Sequence, residues 1–328
     1  MTNLMSKFLL PAAVALALGV GAVPTNAEPS GVLKFSDQVK LITYDPHSHS
    51  GGGIPYLRPV YETLFEVTAE DKVVPFLASS YEVDGLDVTI KLRNDVMFSD
   101  GDPFNAEAVV ANINDTKQKG INPAVKPIAE ATAADEFTVK LTLSSPAPSL
   151  LRDLAGTGGM MISPKALQDP AIDRNPVGTG PYVYNVAESR EGEVRVYTPN
   201  PKYYDQNEIG LERLEVWEIP DNTARLNALK TGQIDLGLWL ANPQSAIIDK
   251  TPGLKLIKNK SGLTYHVTIS DRDGTVIPAF ADKRVRQAMN FAMDREGFSQ
   301  AIDFGLSVPA YQPFPEGSWA YNPNLGAP

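Results

Sequence analysis

Three histidines, His47, His49 and His266, and no cysteine bound the metal chemistry open to this chain. A closed transition-metal site draws its nitrogen and sulfur donors from those residue types, so a metal here has to borrow carboxylates or arrive inside a chelator. His47 and His49 form half a donor set, and their polar, glycine-rich surroundings predict solvated loop side chains. Gly51-Gly52-Gly53 could cradle a phosphate, but no Lys-Ser or Lys-Thr follows, as a phosphate loop requires; the glycines predict a flexible loop. Gly156-Thr157-Gly158-Gly159 lacks the third spaced glycine of a dinucleotide turn and is expected to be a linker. There is no Gly-x-Ser-x-Gly elbow, no His-Glu-x-x-His and no cysteine nucleophile, so a hydrolase stays open only through an unmarked pair of carboxylates.

The elements that must position any site alternate between strand and helix patterns. Val88, Ile90 and Leu92 alternate with polar neighbours after Asp84-Gly85, which predicts a hairpin with a tight turn. Asn105 then caps a helix whose apolar positions Ala106, Val109, Val110 and Ile113 follow helical spacing. Further strands are expected from residue 31, over 137–143, from Tyr182, over 193–198, over 211–219, after Asp235 and over 263–270. Helices are expected over 223–230 and as one amphipathic element over 282–302, with Val285, Met289 and Met293 on its apolar face. The basic start of that last helix, Lys283, Arg284 and Arg286, opposes the helix dipole and is read mainly as a solvated face.

Composition narrows the partners. The chain has 328 residues, with 29 Lys+Arg against 39 Asp+Glu and a net charge of -10, a surface that repels the phosphates of nucleic acid. Lys7, the apolar run 8–23 and the segment Pro24-Thr25-Asn26-Ala27 read as a secretory signal cleaved after Ala27. With no cysteine to carry a lipid, the mature chain is expected to be free in the periplasm, without disulfides.

The order Pro75, Leu77-Ala78, Tyr81, Gly85, Leu92-Arg93, Phe98, Asp100-Gly101, Pro103 and the capped helix resembles the family 5 periplasmic solute-binding proteins, receptors of ATP-driven peptide, nickel and opine importers. Asn175-Pro-Val-Gly-Thr-Gly-Pro181-Tyr182 is similar to a second family segment, and Asn200-Pro-Lys-Tyr203-Tyr204 to a third, with Tyr204 where tryptophan is usual. The strand, helix, Gly232 and Asp235 succession and the wording of residues 282–296 add to the resemblance.

The resemblance implies an α/β bilobal periplasmic-binding-protein fold, type II and cluster C like, with an incomplete second lobe, and it alone implies a short helix over 58–65. The implied organisation is a signal at 1–27, a main first-lobe subdomain at 28–58 and 178–263, an extra subdomain at 59–177, and the start of lobe two at 264–328. It implies a monomeric receptor, not an enzyme, that captures a peptide or other small solute and delivers it to an inner-membrane ABC permease. No cofactor is implied. A nickel or metal-chelate receptor of the same fold is the alternative, and a secreted hydrolase the remoter one. Tyr44, His47, Trp239, Tyr265 and His266 are the expected ligand contacts, on the premise that they lie near the surface between the lobes. The chain is expected to be cut short of the rest of lobe two.

Overall fold

The computed structural model describes residues 28–48, 53–258, 264 and 266–326. The expected signal at 1–27, His49, the glycines at 51 and 52, and Tyr265 lie outside the described residues.

In chain order the strands are β1 (Val32–Asp37), β2 (Phe65–Val67), β3 (Val73–Pro75), β4 (Ala78–Asp84), β5 (Asp87–Leu92), β6 (Ile128–Asp135), β7 (Thr138–Leu143), β8 (Tyr182–Tyr184), β9 (Val194–Pro199), β10 (Arg213–Glu218) and β11 (Leu236–Gly237). The helices are α1 (Ile54–Leu57), α2 (Ala106–Lys119), α3 (Leu150–Asp153), α4 (Pro164–Leu167), α5 (Asn222–Lys230), α6 (Asn242–Ile248), α7 (Lys283–Ala292) and α8 (Arg295–Ala301). None of the helices among the described residues is long and apolar enough to cross a membrane.

Two sheets carry the architecture. One is antiparallel throughout, in the order β4-β5-β7-β6. Its centre is the alternation legible in the sequence: Val88, Ile90, Val139 and Leu141 are buried, and they share a core with Val109 and Ile113 of α2. The hairpin turns at Gly85, with φ 61, and the Asn105 side chain accepts the Ala108 N–H to cap α2. β6, for which no strand was expected, pairs with β7; its alanines and polar residues give it little alternation to read.

The other sheet has the order β11-β1-β10-β9-β8. β1 lies between β10 and β11 and runs parallel to both, while β9 and β8 extend the sheet antiparallel. The β10-α5-β11 passage is therefore a crossover around β1, and α5 packs closely on β11 because a Cβ at Gly237 would meet Leu229 Cδ1 at 2.9 Å.

A strap of two glycines joins the units. Gly180 N–H donates to Val60 O at 2.8 Å and Tyr182 N–H to Pro59 O at 2.9 Å, while Gly178 O accepts the Ser99 N–H at 2.9 Å. A Cβ on Gly178 would stand 2.2 Å from Val60 O, and one on Gly180 2.6 Å from Pro59 O. Space, rather than an unusual φ, is what demands glycine here. The same strap explains why the helix expected over 58–65 is absent. α1 instead begins after Gly53, which is left-handed at φ 75, and stops before Pro59. Beyond it the carbonyls of Pro59 and Val60 serve residues 180 and 182 instead of a helical ladder.

Tyr204 packs against both hydrophobic cores. Its hydroxyl and that of Tyr203 each donate to Glu62 Oε1 at 2.9 Å, and the Arg93 guanidinium lies 4.2 Å from the Tyr204 ring centroid. Glu62 is buried, and burial pushes its carboxyl up to about 7 against the pull of the Tyr204 and Tyr203 hydroxyls.

The segment expected as one helix over 282–302 is two. Met293 has ψ 110, outside the helical range, and the Asp294 side chain accepts the Gly297 N–H to start α8. Met289, Phe291, Met293 and Phe298 are exposed on these helices. Arg284 pairs with Asp282 at 2.6 Å, and Arg286 donates to the carbonyls of Phe280 and Ala281, so the basic start is offset locally. No strand forms at residues 264 and 266–270, where Val267 is exposed; without a neighbouring strand its backbone has nothing to pair with. Farther on, the Trp319 N–H donates to Asp71 Oδ2 at 2.9 Å while Arg152 holds Asp71 Oδ1 at 2.7 Å, which clasps the end of the chain to the four-stranded unit.

Candidate ligand site at the carboxyl edge of the parallel strands

The carboxyl ends of β1, β10 and β11 lie side by side, an edge where open α/β sheets place their ligands. Asp37 and Glu218 are register partners there, both largely buried. Glu218 is paired with Arg195 of β9 at 2.9 Å, so its charge is neutralised within the sheet. β11 leads directly to Trp239, whose side chain is 59 % exposed and whose φ of 53 is left-handed. Beneath it Arg225 of α5 is fully buried and bonds to the carbonyls of Ile219, Pro220 and Trp239.

The structure distributes the expected contact residues among different roles. Tyr44 is buried: its hydroxyl lies 2.8 Å from that of Tyr197, which donates to Tyr56 O at 2.9 Å, and its ring centroid is 4.6 Å from that of Tyr184. Burial pushes the Tyr44 hydroxyl pKa far up, so the group stays a neutral donor in the core. His266 is exposed in irregular chain, with Nδ1 3.1 Å from Thr264 O. Among the described residues no hydrogen bond, ion pair or ring contact joins Trp239 to Tyr44, His47 or His266.

His47 is not the solvated side chain its loop predicts. It is fully buried, with Nδ1 2.7 Å from Asp115 Oδ2 and Nε2 3.0 Å from Met160 O. Both ring nitrogens face oxygen atoms, a carboxylate on one side and a backbone carbonyl on the other. Asp45, His47 and Asp115 place ligand atoms within 4.8 Å of one another, a spacing that could hold a metal ion. The cation's place is already taken: Lys119 Nζ lies 2.7 Å from Asp45 Oδ2 and 2.6 Å from Asp115 Oδ2. Burial works against the Asp45 and Asp115 charges, yet Lys119 and, for Asp115, His47 outweigh it and hold both carboxyls below the usual range. The cluster pins the 45–48 turn to α2. Its helical half, Asp115 and Lys119 four residues apart, carries a signal the sequence offered. Arg225 offered little, because apart from Asn222 its partners are backbone carbonyls.

Residues 156–159 likewise depart from the open linker expected of them. Thr157, Gly158 and Gly159 are buried, and a Cβ on Gly158 would meet that of Ala124 at 2.6 Å. An open hollow of about 310 Å³ beside them is walled by Ile54, Pro123, Ala124, Arg152 and Asp153 and shares no lining residue with the parallel edge. Arg152 on its wall is already engaged by Asp71.

Known proteins share this arrangement. A glutathione-binding protein, GsiB of Pectobacterium atrosepticum, is 31% identical over 98% of this chain and 64% of its own length. The chain thus spans just under two thirds of the curated relatives it matches. Among solved structures, NikA from Brucella suis in complex with Fe(III)-EDTA is 25% identical with a TM-score of 0.71, covering 91% of this chain and 61% of that one. DppA from Helicobacter pylori in complex with the peptide STSA has a TM-score of 0.74 at 24% identity, covering 91% of this chain and 63% of that one, a likeness of fold. A model of the bacterial extracellular solute-binding proteins, family 5, matches residues 72–328. The chain belongs to that family, with its periplasmic-binding-protein fold and a partial second lobe.

Proposed function

We propose that this protein is the solute-capturing component of an ABC importer, taking a peptide or peptide-like solute in the periplasm and presenting it to a membrane permease. The observation that carries the reading is the exposed Trp239 at the carboxyl edge of β1, β10 and β11. An indole in that position offers a large flat apolar face to a solute, while the nearby Glu218 stays paired with Arg195 inside the sheet. The likeness to glutathione-binding relatives supports a small peptide as the cargo. His266 and Tyr265 fall in the segment that would border a second lobe, and they remain proposed contacts. Tyr44 and His47, both buried, enter the proposal as supports of the wall.

The five-stranded unit would form the main part of lobe one, over 28–58 and 178–263. The four-stranded unit would be the extra subdomain at 59–177, and residues 264–328 the start of lobe two. A monomer closing about the crossover between lobes would hold the solute, with binding shifting the population toward the closed state.

The metal-chelate reading has a structural neighbour in its favour, NikA with Fe(III)-EDTA. It is the weaker one here, because the single described cluster of metal-ligating groups contains Lys119. Calorimetry on the purified mature chain decides between them, with reduced glutathione, a panel of di- to tetrapeptides and nickel-histidine as probes. The proposal expects heat from glutathione or a peptide with the probe recovered intact. Binding of nickel-histidine alone would shift the assignment to the chelate reading, and consumption of the peptide would make the protein an enzyme.

A further inference from the structure

Trp239 departs from the backbone conformation its residue type favours. At φ 53 a bulky side chain is crowded against its own backbone, and such a conformation persists only where the surroundings hold it. The holding group is Arg225. Its Nη2 donates to Trp239 O at 2.9 Å and also to Asn222 Oδ1, while Nη1 donates to Ile219 O at 2.6 Å and Pro220 O at 3.3 Å. One planar guanidinium thus stitches the exit of β10 to the exit of β11. The strand lies against the arginine's stem, a Cβ at Gly237 being at ordinary contact distance, 3.7 Å, from Arg225 Cγ. A tie serving only the β10 to α5 turn would end at Ile219, Pro220 and Asn222. The added bond to the Trp239 carbonyl fixes the residue that carries the exposed indole.

We infer that Arg225 is a positioning residue that locks Trp239 as a stacking platform for a planar amide group of the bound solute. The inference deepens the receptor reading and rests on it. Arg225 touches no solute itself, being fully buried, and acts through the indole.

The test uses the mature chain carrying Trp217→Phe and Trp319→Phe, so that Trp239 is the sole tryptophan. Without any solute, Arg225→Met is expected to shift the Trp239 emission maximum and change its quenching by acrylamide. Calorimetry with glutathione or whichever peptide binds is expected to show roughly tenfold or greater loss of affinity in Arg225→Met. That loss should vanish when Trp239→Ala is already present, because the arginine works through the indole. Unchanged emission and quenching in Arg225→Met would overturn the inference, as would an equal affinity loss with and without the indole. If none of the probes binds the unsubstituted chain, the receptor reading fails and the stacking platform with it, while the emission comparison still reports whether Arg225 sets Trp239. Should Arg225→Met not fold, Arg225→Lys replaces it, keeping the charge without the planar fork. Trp239→Gly melting above Trp239→Ala then supports the held left-handed backbone, and the reverse order removes it.

Discussion

Glu62 is the residue whose chemistry is most sensitive to its surroundings. A buried carboxyl raised from 4.5 to about 7 binds its proton more tightly folded than unfolded. Its contribution to stability is therefore complete below pH 4.5 and is lost as the pH rises through 7, on the order of 3 kcal/mol across that window. Denaturation midpoints of Glu62→Gln measured between pH 4.5 and 7.5 should be flatter with pH than those of the unsubstituted chain. Equal slopes would mean the Tyr203 and Tyr204 hydroxyls keep Glu62 ionised throughout. Lys119 is the counterpart case. Replacing it with methionine leaves the Asp45 and Asp115 carboxylates, both partly or fully buried, without their shared cation, and should cost about 2 to 3 kcal/mol at neutral pH. The cost should shrink as pH falls through the depressed pKa values of the two carboxyls, which chemical denaturation at pH 7 and pH 3 would register. Glu62 announced no role in the sequence, and Lys119 announced only the helical half of its role, through Asp115. Tyr44 shows why: its fate depends on Tyr197, 153 residues away, and no local spacing encodes that.

At the scale of elements, what was legible is what local pattern controls. The hairpin of β4 and β5, the capped α2 and the alternation of β10 follow from neighbours a few residues apart. The misread elements were residues 58–65, where the Pro59 and Val60 carbonyls go to the glycine strap, and, among the described residues, 266–270, which form no strand. The strap also yields a sharp expectation. Gly180→Ala forces a methyl against the Pro59 and Val60 carbonyls and should cost roughly 2 kcal/mol or more, measured by urea unfolding. Gly192→Ala serves as the contrast. It has open space but a φ of 77, so its cost should come from backbone strain alone, about 1 kcal/mol.

For the whole molecule, the glycine strap and the Glu62 seam tie the two sheets into one framework. Fold class and family could be read from the sequence because their segments are contiguous. The burial of the candidate contacts could not, since nothing in their local spacing separates the exposed Trp239 from the buried Tyr44. The placement of β1 has a further consequence in time. β1, which lies between β10 and β11, is made first, yet Val32 must wait for Arg213 and Phe35 for Leu236 before either has a neighbour. Contacts so distant along the chain form late, whereas β4 to β7 close among near neighbours. In pulse-labelled refolding the amides of β5 and β7 should gain protection before those of β1, and simultaneous protection would contradict this order. A chain built this way keeps its five-stranded sheet unlocked until the residues of β11, some two hundred positions after β1, have been made.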